Sequence, residues 1–86
     1  MDIERDSEIE KNIFRLLGVR GEHSSICPSD VARAMYSVES EWRAAMPRIR
    51  EVAGDLASRG LLRVTRKGKA VAATSEGGPI RLARPV

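Results

Sequence analysis

Residues 27–42 read CPSDVARAMYSVESEW, and this stretch decides the fold. Pro28 suits the first position of a helix because its missing N–H would have no partner there, and Asp30 faces the positive end of the helix dipole. The apolar stripe that begins at Val31 ends near Tyr36, and the next periodic segment starts after a turn of about four residues. This spacing predicts two helices joined by a tight turn.

The second of these helices is predicted to run from about Glu41 to Arg59, with Gly60 as its C-terminal stop. Pro47 lies inside this segment, where it removes a backbone hydrogen bond, and we expect a kink there rather than a division of the helix. We interpret Trp42 as an anchor in the core rather than as a stacking platform. The apolar stripe of this helix contains Trp42, Met46, Ile49, Val52, Ala53 and Leu56.

Upstream of residue 27, the pattern predicts one helix and one short strand. Ser7 and Glu10 have the spacing of a capping box, and apolar residues then recur at helical spacing until Gly18. Residues 1–6 are therefore expected to form a frayed N-terminus. Ser24–Ile26 is short and extended in character, which is typical of a strand.

Downstream of Gly60, the sequence changes to β-type patterning. Leu61–Thr65 is predicted to be extended, the pair at 67–68 is Lys-Gly and suits a tight turn, and Lys69–Ala72 follows as the second strand of a hairpin. Thr74–Pro79 has loop composition, and Ile80–Leu82 alternates as a returning strand does.

The order of these elements predicts a mainly α fold with a small β-sheet. Three helices, with a helix-turn-helix between the second and third, and a C-terminal β-hairpin wing are typical of the winged helix-turn-helix. The chain has 86 residues, and a chain of this length predicts one winged-helix domain over 1–86.

Charge is distributed unevenly along the chain. Residues 1–42 contain five basic and nine acidic residues, a net charge of −4, whereas residues 43–86 contain ten basic and three acidic residues, a net charge of +7. Such asymmetry favours a negatively charged partner, although an ordinary solvated surface is the alternative. We predict nucleic-acid binding, with DNA as the first candidate, through the third helix and the wing. The candidate contacts are Arg43, Arg48, Arg50, Arg66, Lys67 and Lys69.

The third helix by itself is a poor reader of bases. Glu51 and Asp55 lie on its predicted exposed face and would repel phosphates. The segment has no Asn or Gln to read adenine, so its arginines would at best read guanine. The prediction therefore depends mainly on the wing. The alternative is a protein-interaction module that forms a homodimer or binds an acidic partner protein without nucleic acid.

The cysteine content and the N-terminal segment argue against several classes of protein. Cys27 is the single cysteine, which rules out an intramolecular disulfide and favours the cytoplasm. With His23 it cannot complete a zinc site, so we expect no metal, no cofactor and no enzymatic activity. The polar N-terminus does not resemble a signal peptide or a membrane anchor. A thiol sensor at Cys27 is a third hypothesis, although a small buried side chain is the favoured interpretation.

Four blocks of sequence resemble a family of small bacterial proteins catalogued as a domain of unknown function. The resemblance covers about Ser7 to Arg84 and implies a winged-helix-like fold, but no reaction, substrate or cofactor. At Ala72-Ala73 the family would have Asp-Pro. The blocks are residues 26–33 (ICPSDVAR), Trp42-Arg43 with Met46-Pro47 and Arg50, residues 66–68 (RKG) and residues 78–81 (GPIR).

Overall fold

The computed structural model describes residues 3–21 and 23–85, except for the side chain of Ile3. Within these residues, three helices precede most of a small sheet, and this confirms the predicted mainly α class with a winged-helix-like layout. The elements are α1 (Ile3–Arg20), β1 (Ser25–Ile26), α2 (Pro28–Met35), α3 (Glu39–Ser58), β2 (Arg63–Arg66), β3 (Lys69–Ala70) and β4 (Arg81–Ala83).

The sheet has the strand order β1-β4-β2-β3, and each pair of neighbouring strands is antiparallel. Leu82 is in register with Ile26 on one side and Val64 on the other, and all three side chains are buried. Because paired residues share a face of the sheet, this face covers the helices. The predicted returning strand is therefore confirmed, and it lies between β1 and the hairpin.

The core forms where one stripe of each helix meets the inner face of the sheet. These stripes follow helical spacing, and burying each large aliphatic side chain stabilises the fold by about 1.5–3 kcal/mol. In α3 the buried positions begin at Ile49, whereas Trp42 and Met46 are half-buried against the cluster. The buried helical residues are Ile9, Ile13 and Leu17 of α1, Val31 and Ala32 of α2, and Ile49, Val52, Ala53 and Leu56 of α3.

The predicted start and end of the first helix were wrong. The helix begins at Ile3, so Ser7 lies inside it as an exposed residue rather than at its cap, and residues 3–6 form its first turn rather than a frayed end. Residues 1 and 2 lie outside the described part of the chain. The helix also continues past Gly18 to Arg20, since one glycine costs a helix only about 0.5–1 kcal/mol.

The boundaries of α2 and α3 follow local rules more closely. Cys27 is the N-cap of α2 and Pro28 is its first residue, as predicted. The third helix starts at Glu39, two residues earlier than expected, and continues undivided through Pro47. It ends at Ser58, and the predicted stop, Gly60, follows the C-cap residue Arg59 with φ 75° and donates its N–H to the carbonyl of Ala57. None of the described helices is long and apolar enough to cross a bilayer.

Candidate nucleic-acid interface

The wing tip is a two-residue hairpin turn between Arg66 and Lys69, which are in register. Lys67 has φ 52° and Gly68 has φ 81°, and two positive φ angles are what a type I′ turn requires. Lys67 and Lys69 are both exposed, and neither ammonium group bonds to any residue in the described part of the chain. The second strand of the hairpin ends at Ala70, earlier than predicted.

Arg66 has an internal role. Its Nη1 donates to the Ser75 hydroxyl and to the Glu76 carbonyl at 3.1 Å, and its Nη2 donates to the carbonyls of Ser75 at 2.9 Å and Gly78 at 3.1 Å. One guanidinium thus bonds to three backbone carbonyl oxygens of the same loop. To contact nucleic acid, Arg66 would have to release these bonds, and neither composition nor residue spacing indicates this contact with the loop.

Arg48 is held between two carboxylates. Its Nε donates to Asp6 Oδ1 at 2.8 Å, and its Nη1 donates to Glu51 Oε1 at 2.6 Å. The hydrogen bond from Arg48 lowers the pKa of Asp6, and the two carboxylates raise the pKa of Arg48. Its charge is therefore balanced within the chain, which makes Arg48 a poor phosphate contact.

Arg43 also has an acidic partner, since its Nε donates to Glu39 Oε2 at 2.6 Å. Its guanidinium carbon lies 4.8 Å from the centre of the Trp42 ring, and that of Arg33 lies 4.6 Å from the same centre. Both distances are in the range of cation–π contacts. The sequence interpretation missed Arg33, because its proximity to Trp42 arises only when α2 packs against α3.

Arg50 occupies the junction between α3 and the wing. It borders a notch of about 300 Å³ with Met46, Pro47, Glu51 and Thr74. Its Nε is buried and has no hydrogen-bond partner within residues 3–21 and 23–85. No other described residue bonds to the remaining guanidinium nitrogens.

Gly54 lies where α3 meets the base of the wing. A Cβ at Gly54 would lie 3.5 Å from the Cβ of Ala73, which is an ordinary contact distance, and Ala73 is buried. The surface of α3 at this glycine is therefore covered by the chain's own Ala73. Ala73 is also one of the two positions at which the family resemblance implied Asp-Pro, and here a small side chain packs against the helix.

The acidic residues of α3 border a second opening. Asp55 lies 3.7 Å from Arg59 across an ion pair, and with Glu51 it lines a groove of about 1000 Å³ between α1 and α3. Phe14 lies in this groove and is 38% exposed. Asp55 therefore lies on the α1 side of the helix, whereas Glu51 borders both the groove and the notch.

The thiol of Cys27, on which the third hypothesis of a thiol sensor depends, lies at the start of α2. The residue is half-buried, and its Sγ lies 2.8 Å from the Ser29 hydroxyl oxygen. Partial burial raises the pKa of Asp30, but the hydrogen bond from the Cys27 N–H and the charges of Arg20 and Arg81 outweigh it, and the pKa is lowered. Within residues 3–21 and 23–85, no three His, Cys, Asp or Glu residues cluster as metal ligands would.

Comparison with known families gives one match. The family model described as a protein of unknown function (DUF3253) matches residues 6–85. This match confirms the resemblance to a domain of unknown function. No curated protein matches the chain.

Proposed function

We propose that this chain, which belongs to the DUF3253 family of proteins of unknown function, is a binding module for double-stranded DNA rather than an enzyme. The observation on which the proposal depends is the wing tip, where Lys67 and Lys69 are exposed and have no partner in the described residues. Cations without an internal partner are the ones that neutralise phosphates and release counterions.

The proposed binding mode is contact with the DNA backbone rather than reading of bases. Two of the three candidate arginines of α3, Arg43 and Arg48, bond to carboxylates of this chain. Arginines that read guanine need a free bidentate edge, and phosphate contacts position a protein without conferring sequence preference. Affinity should therefore vary little with DNA sequence and strongly with salt.

Fluorescence anisotropy with labelled duplexes of different sequence tests the proposal. Wild-type affinity should fall steeply between about 50 and 200 mM salt. The double variant Lys67→Gln/Lys69→Gln should bind more weakly, and the slope of log affinity against log salt should become shallower by about 1.8, because each phosphate contact contributes about 0.9.

Lys11→Gln is the matched control for this experiment. Lys11 is an exposed lysine of α1 that lines grooves without wing residues, so its removal should leave the slope unchanged. If the wild-type protein does not bind duplex DNA even at low salt, the proposal is wrong. The proposal would also be contradicted if Lys11→Gln changed the salt slope as much as Lys67→Gln/Lys69→Gln does.

The exposed ring of Phe14 supports a second candidate function, a protein interface. The residue is 38% exposed in the groove that α1 forms with α3, and large aromatic side chains are enriched in interfaces. Sedimentation of the wild type and of Phe14→Ser tests this function. A dimer that Phe14→Ser dissociates would support it, and a monomer at every concentration would contradict self-association.

A further inference from the structure

Arg50 is an arginine with an unusual balance of burial and bonding. Its Nε is buried and has no hydrogen-bond partner among the described residues. Buried side-chain donors are nearly always bonded, because leaving one unpaired is unfavourable by more than most hydrogen bonds contribute. Arg50 therefore contributes little to the stability of the folded protein. Such a residue is typically retained for binding rather than for stability.

The other edge of the same guanidinium is open. Its two terminal nitrogens are neither buried without a partner nor bonded to another described residue. A charge with one desolvated edge attracts an incoming anion more strongly than a fully hydrated charge does. Arg50, which lines the notch, thus has two terminal nitrogens that remain available as parallel donors.

Thr74 also lines the notch, and it lies in a turn that internal hydrogen bonds close. The N–H and the hydroxyl of Ser75 donate to the Ala72 carbonyl at 3.0 and 2.8 Å. Arg66 donates to the Ser75 carbonyl, and Ala73 is buried beside Gly54 of α3. Thr74 is therefore an exposed residue on a hydrogen-bonded turn, and it borders the same notch as Arg50.

Glu51 is the one acidic residue of the notch. Its carboxylate accepts a hydrogen bond from Arg48 Nη1 at 2.6 Å, and the same arginine also donates to Asp6. The guanidinium of Arg50, in contrast, bonds to no other residue in the described part of the chain. A ligand with negative charge and several oxygen acceptors complements these donors.

We propose that this notch binds a single phosphate group through the terminal nitrogens of Arg50 and the hydroxyl of Thr74. Two non-bridging oxygens match the two parallel guanidinium donors, which is the geometry that favours arginine over lysine at phosphate sites. The anion site is argued independently of the proposed function. Only the assignment of its phosphate to a DNA backbone rests on that function. Such a contact would fix α3 and the wing in one register on the duplex.

The anion site is tested first without DNA. The side-chain N–H signals of Arg50 are followed by NMR while inorganic phosphate replaces chloride at constant ionic strength. The signals of Arg50 should shift and saturate, those of Arg15 should not, and Thr74→Val should weaken the response. Unchanged Arg50 signals would overturn the proposal. A stronger response to a glutamate-rich peptide than to phosphate would also overturn it, in favour of an acidic protein partner.

DNA binding and stability are then compared in Arg50→Met and Arg15→Met. Arg50→Met removes the unpaired Nε and places an apolar chain beside Met46 and Pro47, so its Tm should rise by about 2–6 °C. Its affinity for duplex should fall about tenfold at low salt, and the salt slope should become shallower by about 0.9. Arg15→Met is the matched change on α1, and it should alter neither the affinity for duplex nor the salt slope.

The outcomes separate the two proposals. If the wild type binds duplex and Arg50→Met has the same affinity and salt slope, the notch proposal is wrong and the proposed function stands. If Arg50 responds to inorganic phosphate but the wild type does not bind duplex, the notch stands and the proposed function is wrong. A fall in both Tm and affinity in Arg50→Met would assign Arg50 a structural role and contradict the notch.

Discussion

Arg66 and Gly78 are joined by two hydrogen bonds, since Nε and Nη2 of the arginine donate to the same carbonyl oxygen at 3.3 and 3.1 Å. They connect the end of β2 to the loop that leads into β4. Because β4 pairs with both β1 and β2, the loop must return the chain to the middle of the sheet. The path of this loop therefore depends on one guanidinium.

Arg66→Lys should destabilise the protein by about 1–3 kcal/mol. The charge is kept, but an ammonium group cannot reach the carbonyls of Ser75, Glu76 and Gly78 together. The free energy of unfolding in urea measures the effect, and amide exchange at Ile80 should quicken. Lys69→Gln, a neighbouring change at a side chain without a partner in the described residues, should be nearly neutral. Equal stability of the two variants would contradict the assigned role of Arg66.

The ion pair between Asp6 and Arg48 predicts a pH dependence of stability. The hydrogen bond from Arg48 holds the pKa of Asp6 below its ordinary value of 3.8. Because the folded state binds this proton less readily than the unfolded state, Asp6 stabilises the fold above pH 3.8, and this contribution is lost as the pH falls through the lowered pKa. Asp6→Asn should therefore have a lower Tm than the wild type at neutral pH.

The difference in Tm between Asp6→Asn and the wild type should shrink and then vanish as the pH falls from 3.8 through the lowered pKa of Asp6. Thermal unfolding across this range measures it. Glu76→Gln is the control, since Glu76 is exposed and its carboxylate bonds to no residue in the described part of the chain. A difference between wild type and Asp6→Asn that persists unchanged in acid would show that the aspartate acts through packing rather than charge.

Local rules predicted the parts of this fold that are determined by neighbours in sequence. Pro28 at the first position of α2 and Gly60 at the end of α3 lie where helix geometry requires them. The start of α1 was missed because Arg48, which holds Asp6 in the first turn, is 42 residues away in sequence. Nothing in the capping pattern around Ser7 reports such a contact.

In the candidate site, too, the features set by neighbours in sequence were predicted, and those set by tertiary contacts were not. The wing turn at Lys67 follows from the adjacent Lys-Gly pair, and both wing-tip lysines are exposed. A run of basic residues, however, does not reveal which of them have internal partners. Arg66 bonds to a loop about ten residues further on, and the contact of Arg33 with Trp42 forms between two helices. These roles depend on tertiary packing, which composition and spacing leave undetermined.

Gly54 within α3 and Gly60 just after it should respond to alanine in opposite directions. Gly54→Ala should stabilise the protein by about 0.5–1 kcal/mol, since alanine favours helix and the new Cβ would meet Ala73 at an ordinary contact distance of 3.5 Å. Gly60→Ala should destabilise it by about 1 kcal/mol, because φ at Gly60 is 75°. Urea unfolding measures both. A loss of stability in Gly54→Ala would show that the wing base cannot tolerate a methyl group.

The wing tip predicts a conflict between stability and binding at Lys67. A lysine with φ 52° is strained by roughly 1 kcal/mol, whereas asparagine adopts this conformation readily and is favoured in type I′ turns. Lys67→Asn should therefore raise the free energy of unfolding by about 0.5–1 kcal/mol and, if the proposed function is right, weaken DNA binding. Lys69→Asn is the matched control, because it removes the same charge from a strand position where asparagine is disfavoured. It should weaken binding similarly but lower stability. If Lys67→Asn gains stability with no change in affinity for duplex, Lys67 is not a DNA contact.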